Sequence, residues 1–313
     1  MGQPLDPAKA FFYGQFVQAA YTMFRNPQGG DPLRPEPAGI PDGWELGAWI
    51  LMSDFILTVK EPEFYGIVVH EINNPDSRII AIRGTEGPME WADDAAAIPI
   101  PFHQVPLAGL VAVGFDTIYK SLRLVKRILP SEGAQKETAN AAPETFAGSF
   151  ADQLDQLAAT REATRGETRS VEERERPKRP TVVTGHSLGG ALTTLFVMEN
   201  ASKHAVDIQT SCTFASPLVG NKEFAQAFGQ LAIDSWRIVN TLDLVPKLPP
   251  LGYQHVALAC EFRPEYVKHN PVCWHAMETY LHWLDNTLKV RPECVPGASC
   301  GGWWSRLWNK LGF

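Results

Sequence analysis

Residues 180–201 read PTVVTGHSLGGALTTLFVMENA. TVVT is a short apolar, β-branched run of the kind buried inside a parallel sheet. ALTTLFVMEN, beyond the glycine-rich join, has helical spacing, with Leu192, Leu195, Phe196 and Met198 or Glu199 around one turn. At the join stands Gly185-His186-Ser187-Leu188-Gly189. G-x-S-x-G alone is weak evidence, since chance supplies about 0.1 copies in a chain of this length. Its place between a strand and a helix makes it specific. The turn there is so tight that flanking side chains would clash, and Gly185, Gly189 and Gly190 leave it room. Ser187 then projects above the sheet edge, and the helix N-terminus just beyond it favours a developing negative charge.

Working outward, the same alternation of strand and helix continues. Further strand candidates are 208–216 (IQTSCTFAS), 235–240 (SWRIVN) and 254–262 (QHVALACEF), and 221–232 and 272–288 have helical patterns. Upstream, 64–70 (FYGIVVH) and 77–83 (SRIIAIR), with NNPD as the turn, predict a hairpin. Residues 7–24 predict a helix that starts at Pro7 and buries Phe11, Phe12, Phe16, Ala19, Ala20 and Met23. Residues 27–43 are a Pro- and Gly-rich loop. An amphipathic helix is predicted over 114–129, with Ile118, Leu122, Val125 and Ile128 on one face. Together these predict an α/β fold with a mostly parallel central sheet flanked by helices.

Composition narrows the classes. At 44% hydrophobic and 20% charged residues the chain is ordinary for a globular protein. The formal net charge of −7 argues against nucleic acid as a partner, and no run of eighteen apolar residues predicts a membrane-spanning helix. Residues 131–179 stand apart, with 18 charged residues in 49 against 45 in the other 264. They read as a charged surface insertion, partly helical through Leu154 and Leu157, within a single domain spanning 1–313. The five cysteines, Cys212, Cys260, Cys273, Cys294 and Cys300, leave at least one thiol unpaired and form no C-x-x-C pair that suggests zinc. The start lacks the basic segment and cleavage site of a signal peptide, and Asp6 breaks the myristoylation pattern, so the reading is a cytosolic chain or a mature exported form.

A serine hydroxyl needs a base, and the base needs an orienting carboxylate. In this strand–turn–helix arrangement the acid and then the histidine come later in the chain. Asp243 comes just after the strand SWRIVN (235–240), at the strand end where such sites are built, whereas Asp207 and Asp234 precede their strands and face the opposite edge. Four histidines lie beyond it. His275 opens the segment HAMETYL and is the candidate base, with His269 and His255 as alternatives; His282 packs further along the helix and His186 supports the turn beside Ser187. Donors for the tetrahedral oxyanion should be the backbone N–H of Leu188 and, from Arg83-Gly84-Thr85 after an early strand, that of Thr85.

These residues resemble the class 3 (fungal-type) lipases of the α/β-hydrolase superfamily. RGTEGPMEWADDA (83–95) is similar to the family's R-G-[ST] segment, VAVGF (111–115) to V-H-x-G-F, and TGHSLGGAL (184–192) to its serine turn. TFASPLVGN (213–221), NTLDLVP (240–246) and HAMETYL (275–281) complete six motifs in order. The resemblance implies Ser187, Asp243 and His275 as the catalytic set, Thr85 and Leu188 at the oxyanion hole, no metal and no cofactor. Ala112 in place of the family's His, and Ala215 in place of a Gly beside the sheet, depart from the pattern.

The resemblance also implies carboxylester hydrolysis of acylglycerols, with a lipid or ester as partner at an oil–water or membrane interface. Short-chain, feruloyl and phospholipid esters, or acyl transfer to an alcohol, are the alternatives. Residues 86–110 would form a lid, with Met89, Trp91, Ile98, Ile100, Phe102, Val105 and Leu107 as its apolar side. The tail from 295 to 313, with Trp303, Trp304 and Trp308, has the composition of an interfacial helix.

Overall fold

The computed structural model describes residues 5–25, 35–53, 63–74, 76–85, 97–126, 145–164, 180–204 and 206–296. Pro7 begins α1 (Pro7–Arg25), where a proline loses no hydrogen bond because first-turn amides lack intrahelical acceptors. Next come three strands, β1 (Trp44–Met52), β2 (Glu63–Glu71) and β3 (Arg78–Ile82), each antiparallel to the next. β4 (Pro99–Pro101) and β5 (Leu110–Ala112) make a small separate hairpin. α2 (Val113–Ser121) leads directly into β6 (Arg123–Lys126). After α3 (Phe150–Thr164) come β7 (Pro180–His186), α4 (Leu188–Lys203), β8 (Asp207–Phe214), α5 (Lys222–Phe228), β9 (Asp234–Asn240) and β10 (Leu258–Phe262). Two short helices, α6 (Pro271–His275) and α7 (Met277–Leu284), lie beyond the last strand.

The main sheet has the order β10-β9-β8-β7-β3-β2-β1-β6. From β3 to β10 every neighbouring pair is parallel, while the β2, β1 and β6 side is antiparallel. The period-2 alternation of a strand feeds two cores. On β3, Ile80 and Ile82 enter the core shared with Ile118, Leu154, Leu192 and Phe196, beneath α2, α3 and α4. Ile79 and Ala81 enter the other, with Phe16 of α1, Trp49, Phe214 and Tyr280 of α7. All five residues of β3 are therefore buried, which is why this strand reads as a continuous apolar run rather than an alternation.

The helix expected over 114–129 is instead α2 and then β6. Leu122 turns extended (φ −58°, ψ 128°), and Arg123–Leu124–Val125–Lys126 pairs with Leu51 to Ala48 along the open edge of β1. Leu124 and Val125 then enter opposite cores, a division one helix face cannot make. Ile128 lies outside the described residues. The strand expected over 254–262 is confined to Leu258–Phe262, and the helix expected over 272–288 breaks at Ala276, which is extended (φ −61°, ψ 132°).

Of the charged stretch, 131–144 and 165–179 lie outside the described residues. Its middle packs into the core rather than on the surface. Phe146, Phe150, Ala151, Leu154 and Leu157 are all buried there, and the Phe150 ring meets Phe196 of α4 edge-on at 5.1 Å. The fully buried Gln153 accepts from the Leu124 amide (2.7 Å) and donates to the Leu122 carbonyl (3.0 Å). It thereby satisfies one backbone group of β6 and one of the residue just before it, on the edge of the sheet that no further strand covers among the described residues. Leu154→Ala should lower the free energy of urea unfolding by about 2–5 kcal/mol, as for a buried leucine. A loss below about 0.5 kcal/mol, the scale of a surface change, would contradict this packing.

Candidate active site

The turn after β7 is built around missing side chains. A Cβ on Gly185 would sit 2.3 Å from the Gly189 carbonyl oxygen, and one on Gly189 would sit 2.2 Å from that of Ile82. Only glycine fits at either position, because both obstructions are backbone. Between them Ser187 takes φ 56°, ψ −126°, a strained conformation for a residue with a side chain. The surroundings hold it there: the Ser187 amide donates to Phe214 O at 2.9 Å, and Ser187 O accepts from Gly190 N at 2.9 Å. Ala215, at the end of the adjoining strand, also has positive φ (50°). The glycine expected at that position would adopt this backbone freely; alanine does so under strain.

Three distant segments meet at this turn. His275 Nε2 lies 2.8 Å from Ser187 Oγ, and His275 Nδ1 lies 2.7 Å from Asp243 Oδ2. All three side chains are buried. Asp243 lies just beyond β9, and its other oxygen accepts the Val245 amide at 3.0 Å. Burial pushes the Asp243 carboxyl up, but His275 and the hydrogen bonds from His275, Tyr280 and the Val245 amide outweigh it and hold the group below its ordinary value. The structure thus brings together Ser187, Asp243 and His275 from three parts of the sequence. His275 is the last residue of α6 rather than the opening of a long helix.

The two alternative bases face elsewhere. The His255 Nε2 donates to the Pro246 carbonyl, and the exposed His269 ring lies against Trp274 at 5.8 Å. His282 bonds the Leu288 carbonyl.

The oxyanion candidates flank the serine. Leu188 is the first residue of α4, so its N–H has no intrahelical acceptor and lies at the positive end of the helix. Thr85 comes directly after Gly84, whose hypothetical Cβ would come within 2.7 Å of the Ser187 Cβ. Arg83, almost wholly buried, donates from Nη1 to the Gly84 carbonyl at 2.8 Å and from Nε to Phe64 O at 3.1 Å. Its guanidinium carbon sits 4.0 Å from the centre of the Tyr65 ring. Arg83 thus pins the loop that carries Thr85 against the serine.

A second line of hydrogen bonds runs behind the first. The Gly84 N–H donates to Tyr21 Oη (2.9 Å), Tyr21 lies 2.7 Å from His186 Nδ1, and His186 Nε2 lies 2.9 Å from the His275 carbonyl. Because Gly84 supplies a proton to the phenol, the phenol's own proton goes to His186 Nδ1, leaving Nε2–H for the carbonyl. His186 is accordingly neutral: burial, then the neighbouring His275, hold it well below its ordinary value. Sequence patterns assign His186 only a supporting place and Tyr21 none, since Tyr21 reads as one more apolar position of α1.

Near His275, a disulfide joins Cys273 to Cys294, while Cys212 and Cys260 are free thiols. Among the described residues no cluster of three or more His, Cys, Asp or Glu could hold a metal ion.

An eight-stranded, largely parallel sheet with a serine on a strand-to-helix turn, and with the acid and histidine later in the chain, defines an α/β-hydrolase fold. The chain belongs to the class 3 lipase family, which it matches over residues 79–253. Among characterised relatives it is similar to phospholipase A1-II 4 of Oryza sativa subsp. japonica, with 29% identity over 216 residues that cover 65% of this chain and 49% of that protein. The chain spans about half the length of the curated relatives it matches. Its fold is shared with a Rhizomucor miehei lipase–propeptide complex (TM-score 0.53, 18% identity, 82% of this chain and 67% of the other). It is shared too with a triacylglycerol lipase described as having a serine-protease triad at its catalytic centre (TM-score 0.52, 19% identity, 81% and 79%).

One buried and one half-buried imidazole give the fold a pH signature. His186 titrates far below its ordinary value, and His255 is pushed down to about 4 by burial and by Arg237. Below about pH 6.5 the unfolded chain binds a proton at each while the folded chain does not, so stability falls with pH by about 1.4 kcal/mol per unit for each group. Urea unfolding between about pH 6 and 5 should show that fall, and His255→Gln should reduce its slope by roughly one proton's worth. An unchanged slope in the variant would reject the assignment.

Proposed function

We propose that the protein hydrolyses carboxylic esters of acylglycerols through an acyl-enzyme on Ser187. The observation that carries this reading is the unbroken line Ser187 Oγ–His275–Asp243, at 2.8 and 2.7 Å. His275 Nε2 takes the Ser187 proton as Oγ attacks the ester carbonyl, and Asp243 holds the imidazole in the required tautomer and balances its charge. The oxyanion is stabilised by the backbone N–H groups of Leu188 and Thr85. Collapse expels the alcohol, which leaves with the proton from His275. Water then attacks the acyl-enzyme by the same steps in reverse order.

Glycerolipids are the favoured substrate class because relatives and fold neighbours are named as phospholipases A1 and triacylglycerol lipases. A phospholipase A1 activity is the second reading, favoured by the plant relatives. Residues 86–96 of the expected lid lie outside the described residues, and its remaining apolar positions divide. Phe102 is a core residue, whereas Ile98 and Leu107 are exposed at 55% and 102%. Those two side chains support an exposed apolar face on this part of the expected lid rather than a fully packed roof. The expected interfacial tail at 301–313 also lies outside the described residues. The Cys273–Cys294 disulfide favours the exported alternative for the compartment, since such bonds persist in oxidising surroundings.

Ser187→Ala should lower kcat on p-nitrophenyl esters by about 10⁴-fold or more, and Asp243→Asn by about 10⁴-fold. Equal rates for wild type and Ser187→Ala across acyl chains from acetate to palmitate would end the hydrolase reading. Release of the sn-1 acyl chain from phosphatidylcholine, measured beside triacylglycerol hydrolysis, chooses between the two substrate readings. Activity should also rise sharply once substrate forms an emulsion; smooth saturation through the solubility limit would remove the lid.

A further inference from the structure

Asp243 Oδ2 receives two hydrogen bonds, and the second comes from a residue that the Ser–His–Asp line does not require. Tyr280, in α7, lies with its hydroxyl 2.8 Å from Asp243 Oδ2. The same hydroxyl accepts the Asn240 amide at 3.2 Å. That donation fixes the direction of the phenol's proton: with Asn240 N–H pointing at the oxygen, Tyr280 O–H points at the carboxylate. The ring is fully buried and gripped edge-on by Phe262 at 5.2 Å, His186 at 5.9 Å and Phe214 at 6.4 Å. Packed rings on several sides therefore hold the hydroxyl in this place.

Asn240 ties the same two turns together. Its side-chain amide donates to the Trp274 carbonyl beside His275 (2.9 Å), its side-chain oxygen accepts Leu242 N (3.0 Å), and its carbonyl accepts Asp243 N (3.0 Å). The acid-bearing and base-bearing turns are thus joined by Asn240 and Tyr280 independently of the Asp243–His275 bond itself.

We propose that Tyr280 is a positioning residue of the site: its O–H holds Asp243 Oδ2 in line with His275 Nδ1 and draws charge from that oxygen, setting how tightly His275 keeps its proton. This rests on the hydrolase reading above. A carboxylate oxygen that already accepts one charge-assisted bond is a weaker partner for a second, so His275 gives up the proton gained from Ser187 more readily. Burial, and then the charge of Asp243, push the Tyr280 phenol well above its ordinary value, so it remains a donor throughout the working range. The groups facing the Asp243–His275 pair are few. His186 stands at the end of β7, with its ring 4.7 Å from that of His275. Tyr21 of α1 lies behind His186, and Arg291, which acts on His186, is paired with Glu278 at 2.9 Å.

The test is the pH profile of kcat/KM for Tyr280→Phe. Loss of the donor leaves Oδ2 more basic, so the acid limb should move to higher pH by about 0.5–1 unit, with kcat lower and KM unchanged. Replacing Tyr280 with 3-fluorotyrosine, a stronger donor that keeps the hydroxyl and leaves no cavity, should move the limb to lower pH. Tyr119→Phe serves as the control, since that hydroxyl donates to buried Glu199 in α4; it should lose stability with the limb in place. An unmoved limb in both Tyr280 variants, or an equal movement in the control, overturns the proposal. The His275 titration can also be followed by NMR in the resting protein, where the same shifts are expected whether or not an ester is turned over. A hydrolase that fails the ester assay and a Tyr280 that has no influence are therefore separate outcomes.

Discussion

The close approach of β3, β7 and the start of α4 governs the rest of the molecule. Gly189 lies so near the carbonyl of Ile82 that no Cβ fits between them, and Ser187 is forced to positive φ at the same place. A strained turn persists only where its surroundings over-determine it. Here they do so from both sides: β3 and β8 flank β7 with parallel ladders, and the buried first turns of α4 press the helix onto the sheet. The geometry that makes Ser187 prominent is the same geometry that the two cores stabilise, so fold and site cannot be separated in energy.

Around that turn the polar groups are satisfied in two layers. The front layer is the Ser187–His275–Asp243 line. Behind it, Tyr21 from α1 and Tyr280 from α7 each accept one backbone N–H and pass their own proton inward, to His186 and to Asp243. Both helices pack on the same face of the sheet and share one apolar core. Buried hydroxyls without partners are costly. The tyrosines therefore serve twice, filling the core with their rings while closing the polar network with their oxygens.

Much of this was legible in the sequence where chemistry leaves a local mark. The serine turn was readable because its glycines are spaced by sterics, and Asp243 because it comes after a strand on the correct edge. His275 is legible at the opening of HAMETYL, but its setting is not: the extended Ala276 divides what reads as one helix into α6 and α7, and no breaker residue marks the spot. Residues 122–126 misled for a related reason. Their apolar spacing suits a helix face, but an open strand edge and two cores on opposite sides of the sheet made a strand the better solution. The middle of the charged stretch reads as surface because charged residues crowd both its flanks, although Phe146, Phe150, Leu154 and Leu157 are all buried. Tyr21 carries no mark in the sequence, and Asn240 stands in the motif NTLDLVP without showing what it holds. Their partners are distant in sequence, and only the folded chain shows which donor meets which acceptor.

The disulfide between Cys273 and Cys294 closes a covalent ring two residues ahead of His275. Mechanically, this ring is a load path. Tension applied to the chain beyond Cys294 is delivered through sulfur to Cys273, at the shoulder of the base-bearing turn, before it can peel α7 away from the sheet. The turn that carries the imidazole is thereby tied to the segment around Cys294 through sulfur as well as through the backbone, and so shielded from local fraying of the residues between them.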